Sequence, residues 1–419
     1  MTRELSMRKV ICLLVVLAWA RSAHAGGGFE LDEQSAAGVG MAGAHAAVAN
    51  DPAAIYYNPA GLGFQPGFGA LIGGNLIVAR TQVTPDNLTL WHPAFAPTIY
   101  VSQRFGKYIA LGFGGFANFG EHFSYPEGWR GRFEGYFIDI TTFTLQPTLA
   151  IRPFSWLSVG VGFDIMLGSF DTYRAVQLGS AEGNLHAGAT ATGLGGNVGV
   201  LIKLIPHYLN LGFAYRSRID MDFSGRGAIT TPPELQALSP GVQRATVSLP
   251  FPHNFQIGAA AFLGQLILSA QVNVSLWRDL SGLTLTLTEP ATNASTSQTV
   301  PLDYHTAWSF RSGAQYGFLR DRLRIRLGAG YDESPAPTAT LGPLAPDSNR
   351  VVVSAGVGLK FDWLSLDLGY LASFLMKKTS TDPDFIATYQ SFGQVISASA
   401  TIRFERVLQH HRYFQHVEE

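Results

Sequence analysis

Residues 157–167 read LSVGVGFDIML, and the alternation in this stretch decides the fold. The odd positions hold large apolar side chains, whereas most even positions hold Gly, Ser or Asp. Successive side chains of a β-strand point to opposite faces. The pattern therefore predicts a strand that is apolar on one face and small or polar on the other. The same period of two recurs in residues 266–277, 323–331, 351–361, 364–370 and 396–404.

Strands of this kind, about 9–11 residues long across the apolar band, are typical of transmembrane β-barrels. A soluble β-sandwich would have shorter strands with more charge on the wet face. The composition favours the barrel, because 47% of the 419 residues are hydrophobic and only 14% are charged. The formal net charge is -1, which leaves no basic stripe for phosphates, so we expect no nucleic-acid partner.

The candidate strands number fourteen, and the connections between them alternate between short and long. Short turns on one side and long loops on the other are typical of outer-membrane barrels. We therefore predict an all-β fold, a 14-stranded antiparallel transmembrane β-barrel over residues 64–404. The candidate strands are 66–80, 95–105, 108–119, 137–152, 156–171, 187–204, 208–224, 244–263, 266–288, 304–318, 322–333, 350–361, 363–376 and 391–404. Long loops are predicted at 121–136, 171–186, 225–243, 289–303 and 334–349.

Residues 1–25 predict a cleaved signal peptide. A basic start precedes an apolar run at 10–20 and the small-residue cleavage site Ala23-His24-Ala25. That run is too short to span a bilayer. The single cysteine, Cys12, lies within it, so the mature chain is expected to fold without disulfides. Together with the barrel pattern, this leader predicts a multi-pass protein in the outer membrane of a Gram-negative-type bacterium.

Residues 26–63 are rich in Gly and Ala and have no sustained period of two or of 3.6. Such a segment cannot form a core of its own, so we predict that it is a hatch inside the barrel lumen. Asn58-Pro59-Ala60 near its end predicts a rigid turn, because Pro fixes φ and Asn bonds its own backbone. The charged, His-rich residues 405–419 predict a solvated periplasmic tail, with a metal or partner site as the alternative.

Several motifs, spread in order over most of the mature chain, make it resemble the FadL family of outer-membrane transporters for long-chain fatty acids and other hydrophobic compounds. They are Gly28-Phe29-Glu30-Leu31, Asn50-Asp51-Pro52, Asn58-Pro59-Ala60, WRGR at 129–132, PTLA at 147–150, WLSVG at 156–160, YRS at 215–217, LPFP at 249–252 and PDS at 346–348. The resemblance implies a hatch-blocked barrel of fourteen strands and ligand entry near the outer loops. It also implies lateral exit through a kink in the third strand, touched by Asn58-Pro59-Ala60.

The third candidate strand carries glycines and a break in its alternation, which together predict a bulge or bend. In a barrel a bend can leave a gap between neighbouring strands; the alternative is a bend that only relieves curvature. The residues concerned are Gly112, Gly114, Gly115, Asn118, Phe119 and Gly120.

A fatty-acid carboxylate needs a cation in the lumen, and Arg offers it a two-pronged fork. The inward-facing candidates by parity are Arg216, Arg218, Arg311 and Arg326. The alternative is that these arginines brace the barrel through Asp164, Asp332 or Asp367. Apolar residues of the outer loops are candidates for initial capture, although packing among the loops is an equal alternative. They are Phe116, Phe123, Tyr125, Trp129 and Phe133.

Other functions are weighed against transport. A lipid-acting hydrolase needs a serine near a histidine, and no such pairing is evident for His122, His186, His253 or His305. No metal-ligand spacing stands out, so neither metal nor cofactor is expected, and the chain is predicted not to be an enzyme. Long-chain fatty acids and neutral or monoaromatic hydrocarbons remain alternatives as ligand. Outer-membrane lipid and lipopolysaccharide are expected neighbours, and a closed barrel has no free edges, so a monomer is expected.

Overall fold

The computed structural model describes residues 28–233, 241–383 and 385–404. The predicted signal peptide at 1–25 and the predicted tail at 405–419 lie outside the described residues. The strands are β1 (Phe68–Thr84), β2 (Leu88–Phe105), β3 (Ile109–Phe116), β4 (Gly120–Ser124), β5 (Phe137–Phe154), β6 (Leu157–Leu178), β7 (Ala181–Ile205), β8 (Leu209–Arg216), β9 (Ile219–Thr230), β10 (Val242–Phe251), β11 (His253–Leu263), β12 (Leu266–Leu276), β13 (Gly282–Thr288), β14 (Ser295–Pro301), β15 (Thr306–Phe318), β16 (Leu323–Asp332), β17 (Arg350–Lys360), β18 (Leu364–Leu375), β19 (Lys378–Thr379) and β20 (Thr388–Phe404).

These segments form the predicted closed barrel of fourteen antiparallel strands. Six of the fourteen are interrupted, and each consists of two consecutive segments: β3 with β4, β8 with β9, β10 with β11, β12 with β13, β14 with β15, and β18 with β19. The barrel closes where β1 pairs with β20, from Phe68 opposite Phe404 to Thr84 opposite Thr388. None of the helices in the described ranges is long and apolar enough to cross a membrane.

Large apolar side chains lie on the outside of the wall and small or polar ones on the inside. In β6, the side chain of Phe163 is 48% exposed, whereas its neighbour Asp164 is 0% exposed. The period of two therefore reports the two faces of the wall, as transmembrane barrels require.

Several strands are longer than predicted. The expected loop at 171–186 is a tight hairpin instead, because β6 and β7 stay paired up to Leu178 and Ala181. Likewise β14, which pairs with β13, occupies part of the expected loop at 289–303. Beyond the apolar band the outward residues become polar, so the alternation fades while backbone pairing continues. Residues 334–349 do form a long connection without strands.

Residues 28–64, here called the N-terminal segment, are almost entirely buried. A short helix, Ala36–Gly40, begins at Ser35, whose Oγ accepts a bond from the N–H of Gly38 at 3.1 Å. A second helix, Ala54–Tyr57, leads into a 3-10 helix, Pro59–Phe64. The first helix packs on β16–β18 and the 3-10 helix on β5–β7, so the segment bridges two sides of the lumen.

Glycines on both surfaces allow the segment to lie close to the wall. A Cβ added at Gly40 would lie 3.1 Å from the Cα of Gly356 on β17. A Cβ at Gly369 on β18 would lie 2.6 Å from the carbonyl oxygen of Ala36. Such spacing is shorter than normal packing of side chains, so larger residues here would push the helix away from the wall.

The N-terminal segment carries a buried acid, Glu33, whose effect on stability depends on pH. Its Oε2 has no hydrogen-bond partner among the described residues, and burial raises the pKa of the carboxyl from 4.5 to about 8. The folded protein therefore holds a proton that the unfolded chain releases as the pH rises above 4.5. Stability falls between pH 4.5 and 8, by roughly 1.4 kcal/mol per pH unit at most.

We predict that Glu33→Gln raises the free energy of unfolding at pH 7.5, because the neutral amide avoids this loss, and changes it little at pH 4.5. Urea unfolding in detergent, followed by tryptophan fluorescence across this pH range, measures the effect. The exposed Glu127→Gln is the matched control and should change stability at neither pH. An equal effect of Glu33→Gln at both pH values would contradict the prediction.

Candidate functional site

The barrel wall is interrupted between its second and third strands. β2 pairs with β3 only from Thr98 opposite Phe116 to Phe105 opposite Ile109. Towards the outer end, residues 88–97 of β2 pair with β1, but within the described residues they have no ladder partner on β4. We call the space between residues 88–97 and residues 117–124 the seam.

A bulge in the third strand produces the seam. Phe116 lies opposite Thr144, and Gly120 lies opposite Thr141, so the third strand has one more residue than β5 over this interval. The Oγ1 of Thr142 accepts from the N–H of Phe119 at 3.1 Å and donates to its carbonyl at 2.7 Å. A bulge of one residue bends its strand, and the phase slip lies at residues 117–119.

The glycines of β3 fit the N-terminal segment on one face and the wall on the other. Side chains added at Gly112 or Gly114 would meet Ile55 at 2.9 Å. A side chain at Gly115 would point to the outside, 3.1 Å from both Ile99 and Phe143.

The N-terminal segment forms hydrogen bonds with the bend, residues 117–120, at positions where β2 forms no ladder with it. The N–H of Leu31 donates to the carbonyl of Asn118 at 2.9 Å, and the N–H of Gly120 donates to the carbonyl of Phe29 at 2.8 Å. The Nε2 of Gln34 donates to the carbonyl of Ala117 at 2.7 Å. Three backbone groups of the bend are thus satisfied from inside the lumen.

Glu30 lies between Phe29 and Leu31 and connects the N-terminal segment to β11 and β12, across the lumen from the bend. Its carboxylate oxygens accept from Asn254 Nδ2 and, at 2.8 Å, from Ser275 Oγ. Burial, with the nearby Asp32 as a smaller cause, raises the pKa of Glu30 well above its usual range. Glu30 therefore links β11 and β12 to the bend.

Asn58-Pro59-Ala60 lies on β6 and β7 and not on the bend, in contrast to what the resemblance implied. The Nδ2 of Asn58 donates to the carbonyl of Val200 at 3.1 Å, and Pro59 lies against Gly160 and Gly199. These glycines leave room for the proline ring. The bend is contacted instead by residues on either side of the turn, since Ile55 and Leu62 both reach Gly112.

One small cavity nevertheless brings the turn, the bend and a candidate arginine together. Pro59, Asn118, Phe119, Glu30 and Arg216 line it, and its volume is about 10 Å³. A single water molecule needs roughly this much space. An alkyl chain therefore cannot pass between the turn and the bend unless the N-terminal segment moves.

The four candidate arginines are all paired with carboxylates. Arg216 binds Asp164, and its guanidinium also lies over the rings of Tyr56 and Phe116. Arg218 pairs with Asp220 at 2.6 Å and with Asp279 at 2.9 Å.

The other two arginines hold the N-terminal segment or the wall. Arg311 pairs with Asp332 at 2.8 Å and donates to the carbonyl of Ala42 at 3.1 Å. Arg326 pairs with Asp367 at 2.6 Å. The bracing pairs considered from the sequence are thus present for Arg216, Arg311 and Arg326.

The aromatic capture candidates separate into three environments. Phe123, Tyr125 and Trp129 belong to one buried apolar cluster, here called the outer cluster, in which the Tyr125 and Trp129 rings stack at 4.2 Å. Phe133 is half-buried beneath the guanidinium of Arg132, at 4.6 Å. Phe116 faces the N-terminal segment instead, stacked on Tyr100, because it ends β3 on the inward face before the bulge.

The structure also points to an arginine that sequence reasoning missed. Arg174, on β6, lines a cavity of about 30 Å³ together with Glu134, and the other walls are mostly apolar, including Phe170, Val247, Leu283 and Leu344. We call this space the outer cavity. The Nε of Arg174 is buried without a hydrogen-bond partner among the described residues. The signal was available, because the inward parity of Asp164 continues through position 174, but the fifth strand was predicted to stop at 171.

The described residues contain no group of three or more His, Cys, Asp or Glu side chains arranged to hold a metal ion.

Comparison with known proteins confirms the resemblance. Residues 15–404 match the family model described as "Outer membrane protein transport protein (OMPP1/FadL/TodX)". The long-chain fatty acid transport protein of Escherichia coli O6:H1 is 23% identical over 432 residues, covering 90% of this chain and 92% of that protein.

Two solved structures show the same fold. A Pseudomonas aeruginosa FadL homologue superposes with a TM-score of 0.82 at 20% identity, covering 90% of this chain and 99% of that one. The Pseudomonas putida toluene transporter TodX superposes with a TM-score of 0.71 at 16% identity, covering 90% and 100%.

These matches identify an outer-membrane protein that transports hydrophobic compounds, and the family is one of transporters and not of enzymes. The chain belongs to the OMPP1/FadL/TodX family of outer-membrane transport proteins.

Proposed function

We propose that this protein carries long-chain fatty acids from the outer cluster, through the lumen, to lateral release at the seam. The observation that carries the proposal is the seam itself. Along most of the wall a lateral opening would break a ladder of backbone hydrogen bonds, and unsatisfied backbone groups in lipid cost several kcal/mol each. Among the described residues, β2 and β4 share no such ladder.

The lining of the seam suits an alkyl chain. Ala94 and Ala96 of β2, Ala117 of the bend and Leu31 of the N-terminal segment belong to one buried apolar cluster. Their small side chains leave space once Leu31 moves. Lateral passage keeps the alkyl chain out of water, which is worth about 0.8 kcal/mol per CH₂ group.

The N-terminal segment acts as the hatch in this proposal. Phe29 and Leu31 bond the bend through two backbone hydrogen bonds, and withdrawal of this short stretch opens the path without unfolding the wall. Ligand capture falls to the outer cluster and to Phe133. The protein functions as a monomer within outer-membrane lipid and lipopolysaccharide.

Arg174 favours a carboxylate ligand over a neutral hydrocarbon. A cation beside apolar walls is costly unless it is paired. Glu134 lines the same cavity, and a fatty-acid headgroup there would add a direct partner for the unbonded Nε of Arg174 while its tail covers Phe170 and Leu283. Arg216, Arg218, Arg311 and Arg326 already have carboxylate partners. We therefore assign headgroup binding to Arg174.

We predict that Arg174→Gln lowers palmitate uptake and leaves toluene uptake unchanged. A hydrogen bond to a charged group contributes about 1.5–3 kcal/mol, so apparent affinity should fall roughly 10- to 100-fold. Uptake of both labelled compounds by cells that lack other routes measures this. Arg226→Gln, at an exposed position of β9, is the matched control.

Two outcomes of this experiment would contradict the assignment. Palmitate uptake that is unaffected by Arg174→Gln places the headgroup elsewhere. Protein-dependent uptake of toluene without palmitate identifies a channel for neutral hydrocarbons instead.

We predict that Ala96→Leu blocks release while ligand binding persists. The larger side chain fills the seam, and overpacking of this kind costs about 1–3 kcal/mol. Palmitate uptake should fall, whereas palmitate binding to purified protein should be retained. Ala187→Leu, at a buried position in a separate cluster on β7, should reduce uptake less. Normal uptake by a folded Ala96→Leu protein would exclude the seam as the exit.

A further inference from the structure

Two histidines face each other across the seam. His92 of β2 and His122 of β4 have ring centroids 6.0 Å apart, with the ring planes at 70°. Both residues are buried. His92 also packs edge-on against Phe123, at 4.4 Å between centroids. A ligand leaving through the seam passes these two rings.

The two rings belong to opposite faces of the wall. His92 is opposite Ala79, on the inward face of β1 and β2, whereas the adjacent Trp91 is 60% exposed on the outside. His122 is opposite Asp139, whose neighbours Ile138 and Ile140 are the inward residues of β5. The bulge thus places the His122 side chain on the outward face of the third strand. The bend brings the same side chain next to His92 of β2.

A carboxylate holds the outer ring in place. The Nδ1 of His122 lies 3.1 Å from Oδ2 of Asp139, and Oδ1 of Asp139 accepts from Thr141 Oγ1 at 2.9 Å. With Nδ1 as the donor, Asp139 accepts this hydrogen bond and fixes the orientation of the ring. The Nε2 of His122 is then the atom that is left to donate to a ligand.

The two histidines line one small cavity with Thr81 of β1 and Ser391 of β20, whose hydroxyls bond each other at 2.9 Å. Its remaining walls include Leu375 of β18 and Pro346.

The charged groups around the histidines come from three elements. Asp139 belongs to β5 and the buried Glu121 to β4 itself, whereas the loop after Pro346 contributes Asp347, which pairs with Arg350. β1, β18 and β20 present no charged side chain to this cavity. Histidine is therefore the cation available to a carboxylate here.

We propose that His92 and His122 bind the carboxylate of a departing fatty acid in turn, His92 from the lumen side and His122 from the outer side. This proposal rests on lateral release at the seam. An ionised headgroup crossing the apolar stretch between Ala94, Ala96 and Ala117 needs a charged donor close by. Each imidazole ring supplies such a donor, and the two ring centroids are 6.0 Å apart.

The test compares His92→Gln and His122→Gln with wild type for uptake of palmitate and of hexadecanol, which has the same chain length without a carboxylate. We expect palmitate uptake at pH 6 to fall about tenfold in each variant, as for the loss of one charged hydrogen bond. Hexadecanol uptake should not change.

Three further variants separate headgroup binding from packing. His122→Phe keeps the ring and should behave like His122→Gln. Asp139→Asn removes the carboxylate that holds the His122 ring and should also lower palmitate uptake without changing hexadecanol uptake. His186→Gln is the matched control, because His186 also pairs with an aspartate, Asp171 at 2.9 Å, but on the β6–β7 hairpin.

The binding of the headgroup by the two histidines in turn is here called the relay. Each of the following results would contradict the relay in a distinguishable way. An equal loss of palmitate and hexadecanol, or normal uptake by His122→Phe, means that the rings only pack the seam. Normal palmitate uptake by both glutamine variants, with Ala96→Leu still blocking, rejects the relay and keeps lateral release. Palmitate uptake that does not depend on the protein at all rejects both.

Discussion

Backbone hydrogen bonding is the constraint on which this structure depends. A strand in lipid must have every N–H and C=O bonded, and ladder pairing meets most of that requirement along the wall. The seam between β2 and β4 meets it differently, because Phe29 and Leu31 bond the bend from within the lumen. The wall is complete only while the N-terminal segment is in place, which couples the position of that segment to the integrity of the wall.

The charges in the lumen follow from the same arrangement. Apolar contacts of residues such as Ile55, Leu62 and Val39 hold the N-terminal segment in the lumen. Ion pairs and carbonyl contacts supplement them, as in Arg311 with Asp332 and Ala42. Buried pairs are costly to break, because one partner is left charged and unpaired. Arginines in such pairs are poor sites for a ligand headgroup, because binding the headgroup would leave the paired carboxylate without its partner. Arg174, set apart from the segment by the outer cavity, does not face that conflict.

The period of two predicted the number of strands, their direction and the face of most residues, because lipid on one side and a polar lumen on the other impose it directly. It also located the break in the third strand. It did not predict how far β6 and β7 extend, because outside the membrane both faces are polar and only backbone pairing remains. The consequence was that Arg174 was assigned to a loop. The position of Asn58-Pro59-Ala60 in the lumen also could not be predicted from the sequence. Gly160 and Gly199 become its neighbours only when the strands that carry them are adjacent.

A single inserted residue has the largest effect of all on function. Without the bulge at residues 117–119, even-numbered positions of the third strand would continue to face the lumen, and Phe119 and Phe123 would face lipid. With it, both phenylalanines join the apolar interior, where Phe119 packs on Phe251 at 4.3 Å, and His122 turns to the outside beside Asp139. The insertion that removes the ladder bonds therefore also places a titratable side chain at the gap it creates. Parity read along the strand cannot reveal this, because the face of every residue after the bulge is inverted.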